Sequence, residues 1–230
     1  MLSIENLNAF YGKAHILHNI SLLVSKGDLL AIIGRNGVGK TTLLKAIMGI
    51  DVIRVGKIIF KDRNITNLKT HEISKLGILY IPDDTGLFHG MSVIENLRLT
   101  SGKKDIDLSL LEKIYPEIRD LLNRKADLLS GGERKIVAIL RSILTKTDLL
   151  LLDEPTEGIM PLIVKKIYGM LDSLRKMGKT IVIVEPGTKL NMILGVATKI
   201  AVMSEGKIIY IGESERVMED IDNIKKYLFV

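Results

Sequence analysis

Cysteine is absent from all 230 residues, which removes disulfides and thiolate metal ligands and fits a reducing compartment. Tryptophan is absent too, and aromatic residues make up only 4% of the chain, so stacking platforms for single-stranded nucleic acid are scarce. No apolar run approaches the roughly 18–20 residues that span a bilayer; Leu149 to Leu152 is typical. Met1 opens no basic segment followed by an apolar one, so no signal peptide is expected, and the chain reads as a soluble protein. Any membrane role then needs another subunit.

Acidic residues are in modest deficit, 27 against 33 basic, giving a net charge of +6. The basic residues are scattered, as in Lys165-Lys166 and Arg175-Lys176, and read as solvated helix faces, so no nucleic-acid partner is expected. Hydrophobic residues make up 47% of the chain, enough for a sizeable core in one large domain or a core with a small subdomain.

Leu2 to Val24 alternates enough for an antiparallel hairpin or meander broken near Tyr11-Gly12. Further strands are predicted at Leu29–Ile33, Lys57–Lys61, Leu79–Ile81, Leu149–Leu152 and Thr180–Val184, with a hairpin around Ser204-Glu205-Gly206. Helices are predicted from Thr42 to Met48, from Ser92 to Thr100 behind a Ser92/Glu95 capping box, and over Leu108–Lys125 with a break at Pro116. Ser130 to Leu144 reads as an amphipathic helix, and another is opened by Pro161 and closed by Gly178. Strands separated by helices predict an α/β class with a mostly parallel sheet, and the terminal hairpins predict an antiparallel β appendage. The boundaries that follow are an α/β core over 1–84 and 148–230 and an inserted α-helical subdomain over 85–147.

Gly34-Arg35-Asn36-Gly37-Val38-Gly39-Lys40-Thr41 fits G-x-x-x-x-G-K-S/T between a buried strand and a helix. Such a turn aims bare backbone N–H groups into one concavity at the positive end of the helix. Lys40 can then reach the β- and γ-phosphates of a nucleotide, and the Thr41 hydroxyl can ligate Mg²⁺. Leu149-Leu150-Leu151-Leu152-Asp153-Glu154 would deliver two carboxylates to the C-terminal edge of a central strand, Asp153 for Mg²⁺ and Glu154 to polarise a water. In Leu129-Ser130-Gly131-Gly132-Glu133 a capping box accounts for Ser130 and Glu133. It does not account for two consecutive glycines, each costly in a helix unless backbone approaches something closely. The chain thus carries two phosphate-type helix starts, which one nucleotide cannot easily use within one subunit.

With these motifs the chain resembles the ATP-binding subunits of ABC transporters, over essentially its whole length. The resemblance implies a P-loop NTPase core, ATP and Mg²⁺ as ligands, and head-to-tail pairing with a second ABC ATPase subunit, as a homodimer or heterodimer. It puts Tyr11 on adenine and Gly34 to Thr42 on the phosphates. Asp83 falls in the loop that senses Mg²⁺ and the membrane subunit, and Ser130, Gly131, Gly132 and Glu133 act in trans on the partner's ATP. Such a subunit sits in the cytoplasm, on the inner face of the membrane through permease subunits. Glu154-Pro155-Thr156-Glu157-Gly158-Ile159-Met160-Pro161 resembles the D-E-P-S/T-E-G-L-A-P of Liv-type branched-chain amino acid transporters, F component. Ile81-Pro82-Asp83, Val184-Glu185 and Tyr115-Pro116-Glu117-Ile118 also resemble that group.

The chain departs from the family pattern in places. Pro186 stands where the family has His or Gln to orient the attacking water, and it offers neither a side-chain donor nor an N–H. Losing such a group costs about 10²–10⁴-fold, so slow hydrolysis or reliance on a partner ATPase is expected. Met160 replaces the family's Asp, and Asp84-Thr85-Gly86 replaces Gly-Arg-Arg. The four histidines, His15, His18, His71 and His89, lie far from Pro186 in sequence. The functional expectation is an ATP-hydrolysing subunit that powers an importer. Two alternatives stand beside it: a degenerate nucleotide-binding subunit, and a soluble ABC protein outside transport.

Overall fold

The computed structural model describes residues 1–102 and 105–229. Strand β1 (Leu2–Tyr11) buries Leu2, Ile4, Leu7 and Ala9, while β2 (Ala14–Val24) buries Leu17, Ile20, Leu22 and Val24. The step from Ile4 to Leu7 breaks the two-residue period because the ladder shifts register there, with Asn6 at a φ of 47°. Then come β3 (Leu29–Gly34), α1 (Lys40–Met48), β4 (Ile53–Phe60), the two-residue β5 (Arg63–Asn64), α2 (Thr70–Lys75) and β6 (Ile78–Ile81). Next are α3 (Val93–Ser101), α4 (Leu108–Ile114), α5 (Ile118–Leu121), α6 (Gly131–Leu140), β7 (Leu149–Asp153) and α7 (Pro161–Lys176). The described chain closes with β8 (Thr180–Pro186), α8 (Leu190–Ile193), β9 (Lys199–Ser204), β10 (Lys207–Glu213), α9 (Ser214–Glu219) and α10 (Ile221–Phe229).

Two sheets result, an antiparallel one in the order β2-β1-β4-β5 and a larger one in the order β10-β9-β3-β8-β7-β6. In the larger sheet every neighbouring pair is parallel except β10 on β9. Its central strands are continuous apolar runs because both faces are covered. Leu29, Ala31 and Ile33 of β3, with Leu150 and Leu152 of β7, face one core, which also holds Ile136 of α6 and Leu171 of α7. Leu30, Ile32, Leu149 and Leu151 face the other, where α1 and the antiparallel sheet supply Leu43, Leu44, Leu2 and Ile58. Alternation along two strands therefore assigns each helix layer its side of the sheet.

Some boundaries differ from the sequence expectation. β4 begins at Ile53 rather than Lys57, because Ile53 pairs with Phe10 although its side chain is exposed. α6 stops at Leu140 and continues as a 3₁₀ turn over Arg141–Ile143, shorter than the expected helix to Leu144. Arg141 on that turn donates to Gly86 O at 2.8 Å and also to Thr85 O. The Ser92/Glu95 capping box is present, with Ser92 N donating to Glu95 Oε2 at 2.7 Å. Between β6 and β7 the described residues form helices and 3₁₀ turns, with one isolated bridge, Ser92 to Lys125. Among the described residues no helix is long and apolar enough to cross a membrane.

Candidate active site

The loop between β3 and α1 is shaped by backbone that needs glycine. Gly39 caps α1 at a φ of 107°, a conformation that strains any L side chain, and a Cβ there would also lie 2.9 Å from Leu17 Cδ2. No side chain caps α1, so its first amides are left bare at the positive end of the helix. Gly34 is needed for space, since a Cβ would sit 2.3 Å from Met203 O. Val38 O accepts from Gly206 N at 2.9 Å, tying the loop to the β9–β10 turn.

Lys40 is 4% exposed and folds back across this loop. Its Nζ donates to Gly34 O at 3.1 Å and Arg35 O at 3.0 Å, and pairs with Glu154 Oε1 at 3.1 Å. The adjoining cavity of about 410 Å³ has Tyr11, Asn36, Gly37, Lys40, Thr42 and Glu154 in its walls. Tyr11 ends β1 and is partly exposed, so the hairpin delivers an aromatic ring to the mouth of the phosphate-type loop.

β7 buries its four leucines completely and carries Asp153 to its end. Asp153 Oδ1 accepts from Thr41 Oγ1 at 2.9 Å, and Oδ2 accepts from the Tyr80 hydroxyl at 2.8 Å. Burial pushes the Asp153 carboxyl above its ordinary range, and the hydrogen bonds from Tyr80 and Thr41 oppose that push. Tyr80 is itself pushed upward, first by burial and then by the Asp153 charge. Glu154 adopts a left-handed φ of 43° and donates its N–H to Val184 O at 3.0 Å, a strained turn held by the neighbouring strand. Glu157, exposed on the same turn, is pushed up to about 7, chiefly by its hydrogen bond to Glu154 and by that residue's charge.

Thr41, Asp153 and Asp83, the three residues that the sequence ties to Mg²⁺, do not all converge. Thr41 and Asp153 meet, whereas the Asp83 carboxylate, largely exposed, is taken by the Lys135 ammonium. Lys135 Nζ also donates to Asp83 O at 2.7 Å and Glu154 O at 3.1 Å, so a buried lysine on α6 bridges the β6 loop and the catalytic-type turn. Hard oxygens on a buried acid suit Mg²⁺, which keeps waters and phosphate oxygens as its remaining ligands. The Thr41–Asp153 pair fits that description.

Ser130 caps α6. Its N–H donates to Glu133 Oε2 at 2.7 Å, its hydroxyl accepts from Glu133 N at 3.2 Å, and Arg124 Nη1 reaches Glu133 Oε1 at 2.9 Å. Gly132 has a reason beyond an anion: a Cβ there would stand 2.8 Å from Ile163 Cγ2, so α6 and α7 meet at a bare backbone. Gly131 is looser, with Ile159 Cδ1 at 3.5 Å from the same added atom. None of Ser130, Gly131, Gly132 or Glu133 lines the cavity at Lys40.

Against known families, the profile described as "ABC transporter" matches residues 17–157. The chain belongs to that family. Among curated ABC relatives it is 32% identical to the high-affinity branched-chain amino acid transport ATP-binding protein BraG of Pseudomonas aeruginosa, covering 91% of each chain. It is 33% identical to the probable branched-chain amino acid transport ATP-binding protein LivF of Archaeoglobus fulgidus, covering 95% of this chain and 94% of the relative. The lipopolysaccharide export ATP-binding protein LptB of Escherichia coli K12 is 30% identical over 98% of this chain and 95% of its own. A crystal structure of the ADP conformation of an ATP-binding cassette superposes with a TM-score of 0.80 at 30% identity, covering 99% of this chain and 98% of the other.

In this ABC chain the end of β8 carries the departure. Pro186 pairs with Gly34 of β3, and the preceding Glu185 is wholly buried. Glu185 Oε1 accepts from Thr156 Oγ1 at 2.8 Å and from the Tyr168 hydroxyl at 3.3 Å, while Oε2 has no partner among the described residues. Burial pushes its carboxyl up to about 7. Lys135, Tyr80 and Glu185 were not singled out as site residues from the sequence. The available signal was a charged or phenolic residue inside an apolar stretch, as at Lys135 before Ile136-Val137-Ala138.

Proposed function

We propose that this chain is an Mg²⁺-dependent ATPase subunit that powers a membrane importer of branched-chain amino acids. The observation that carries the reading is Lys40 held at one loop with Glu154, beside the Thr41–Asp153 pair. ATP lies with adenine on Tyr11 and its phosphates on the amides of the Gly34 to Thr42 loop. Lys40 exchanges its carboxylate partner for β- and γ-phosphate oxygens, which frees Glu154 to accept a proton from water as that water's oxygen attacks the γ-phosphorus. The bond to ADP breaks, and ADP leaves with its oxygen negatively charged. Mg²⁺ at Thr41 and Asp153 would neutralise phosphate charge.

The Lys40 cavity has no wall from Ser130–Glu133. That supports a second ABC subunit, identical or not, supplying its own signature residues across a head-to-tail interface. Residues 85–147 and the Asp83 loop face permease subunits at the inner side of the membrane. The solute rests on the names of BraG and LivF, and LptB bears a different one. Intact Lys40, Asp153 and Glu154 weigh against a degenerate subunit, while Pro186 favours slow turnover. In purified protein, Glu154→Gln should lower ATP turnover at least ~100-fold while keeping ATP binding, and Lys40→Ala should abolish binding. Equal turnover in wild type and Glu154→Gln would sink the enzymatic reading. Uptake of leucine that is lost on deletion of this gene and regained on its return tests the solute.

A further inference from the structure

A second opening, of about 660 Å³, adjoins the first at Asn36, which lines both. Its walls are the start of the phosphate-type loop at Gly34 and Arg35, the Glu157 turn, and the segment from Pro186 to Lys189. Pro186 can contribute no donor to this cleft. Thr188 and Lys189 follow it, Thr188 exposed and Lys189 partly so. Among the described residues no hydrogen bond or ion pair holds the Lys189 ammonium; its charge acts on buried Glu185, opposing the upward push of burial there. The segment is braced from beneath, since a Cβ at Gly187 would lie 3.2 Å from Leu228 Cδ2 of α10. An unpaired ammonium on a braced turn therefore shares a cleft with the first residues of an anion-binding loop. Lysine suits this place: a compact charge with three donors on a flexible stem, able to follow a phosphate whose charge distribution changes.

We propose that Lys189, assisted by the Thr188 hydroxyl, binds the terminal phosphoryl group of the nucleotide in this cleft and is a catalytic residue of this chain, supplying the contact that Pro186 lacks. The proposal rests on the ATPase reading above. The ligand chemistry is a phosphate oxyanion, which ATP carries as its third phosphate and which free phosphate presents after hydrolysis. A cation placed there stabilises charge that a diphosphate does not have, so it acts on ATP and leaves ADP alone.

The test compares full-length wild type with Lys189→Met, Lys189→Gln, Lys189→Arg and Thr188→Val. Turnover is measured together with ATP, ADP and inorganic phosphate affinity, the last in the presence of ADP. Removing a donor to a developing oxyanion costs about 10²–10³-fold, so Lys189→Met and Lys189→Gln should lower kcat by roughly 100-fold. They should weaken ATP at least fivefold relative to ADP, and Lys189→Arg should restore most of both. Loss of phosphate affinity without loss of ATP affinity would overturn the assignment to the bound triphosphate. If Lys189 acts only by stabilising Glu185, its removal should be silent in a Glu185→Gln background with the ATP-to-ADP ratio unchanged, which refutes direct contact. A wild type that fails to bind ATP overturns the ATPase reading and this inference with it. A wild type that hydrolyses ATP, is silenced by Glu154→Gln and is indifferent to Lys189→Met overturns this inference alone.

Discussion

Glu185 should make the stability of this protein fall as pH rises from the acid range toward neutrality. Its carboxyl is wholly buried and goes from the ordinary 4.5 to about 7 in the folded chain, because burial outweighs the hydrogen bonds from Thr156 and Tyr168 and the charge of Lys189. The nearby Glu154 charge adds to the upward push. The folded state therefore holds this proton more tightly than the unfolded chain does. Its contribution is greatest below the unfolded value, falls as pH rises from 4.5 to about 7, and is flat above. At about 1.4 kcal/mol per pH unit, the whole window is worth roughly 3 kcal/mol, of which about 2 kcal/mol falls between pH 5.5 and pH 8. Glu185→Gln keeps the shape and the acceptor for Thr156 while removing the titration. Urea unfolding followed by circular dichroism at those two pH values gives the variant-minus-wild-type difference, in which titrations common to both chains cancel. That difference should move toward the variant by about 2 kcal/mol on going from pH 5.5 to pH 8. A difference that stays constant to within about 0.5 kcal/mol, near the scatter of such extrapolations, refutes the buried proton.

Gly132→Ala should destabilise by about 1–3 kcal/mol despite alanine's better helix propensity, because a stiff β-branched methyl of Ile163 stands where the new carbon goes. Ile163→Ala in the same chain should recover most of the loss, and thermal melts of the two single variants and the double variant decide it; no recovery would rule out the contact. Tyr80→Phe removes the donor to Asp153 Oδ2 and leaves a buried carboxylate oxygen unmatched, at a cost of about 1–3 kcal/mol. It should also change the Mg²⁺ concentration needed for half-maximal turnover, and an unchanged Mg²⁺ titration would mean that Tyr80 does not tune this acid.

What the sequence carried most clearly was chemistry confined to a few consecutive residues. The Gly34 to Thr41 loop, the four leucines before Asp153 and the Ser92 and Ser130 capping boxes each depend on spacings shorter than two helical turns. β4 was read four residues short because Ile53 and Val55 are exposed, and their place in the sheet is fixed by Phe10 and Asn8 opposite. The short helices α2, α8 and α9 are held by tertiary contacts rather than by a long apolar period of their own. Long-range partners were invisible: Lys135 finds Asp83, 52 residues away, and Thr156 finds Glu185, 29 away. The glycine pair after Ser130 points in sequence to a close approach of backbone and to an anion, and the close neighbour at Gly132 is the side chain of Ile163, 31 residues away, which no local spacing reveals.

The pair formed by Lys40 and Glu154 gives the phosphate loop a tethered competitor. A carboxylate 3.1 Å from the lysine is always at hand, at an effective concentration that a dissolved ion must exceed. A small anion that offers Lys40 one contact gains little by evicting it. In the proposed nucleotide pose a triphosphate also engages the loop amides, and so can hold on through several points at once. The loop thereby filters its visitors by the number of contacts they bring. Under the proposed ATPase reading, Glu154 that has given up the proton taken from water is again a carboxylate and competes with the product phosphate for Lys40.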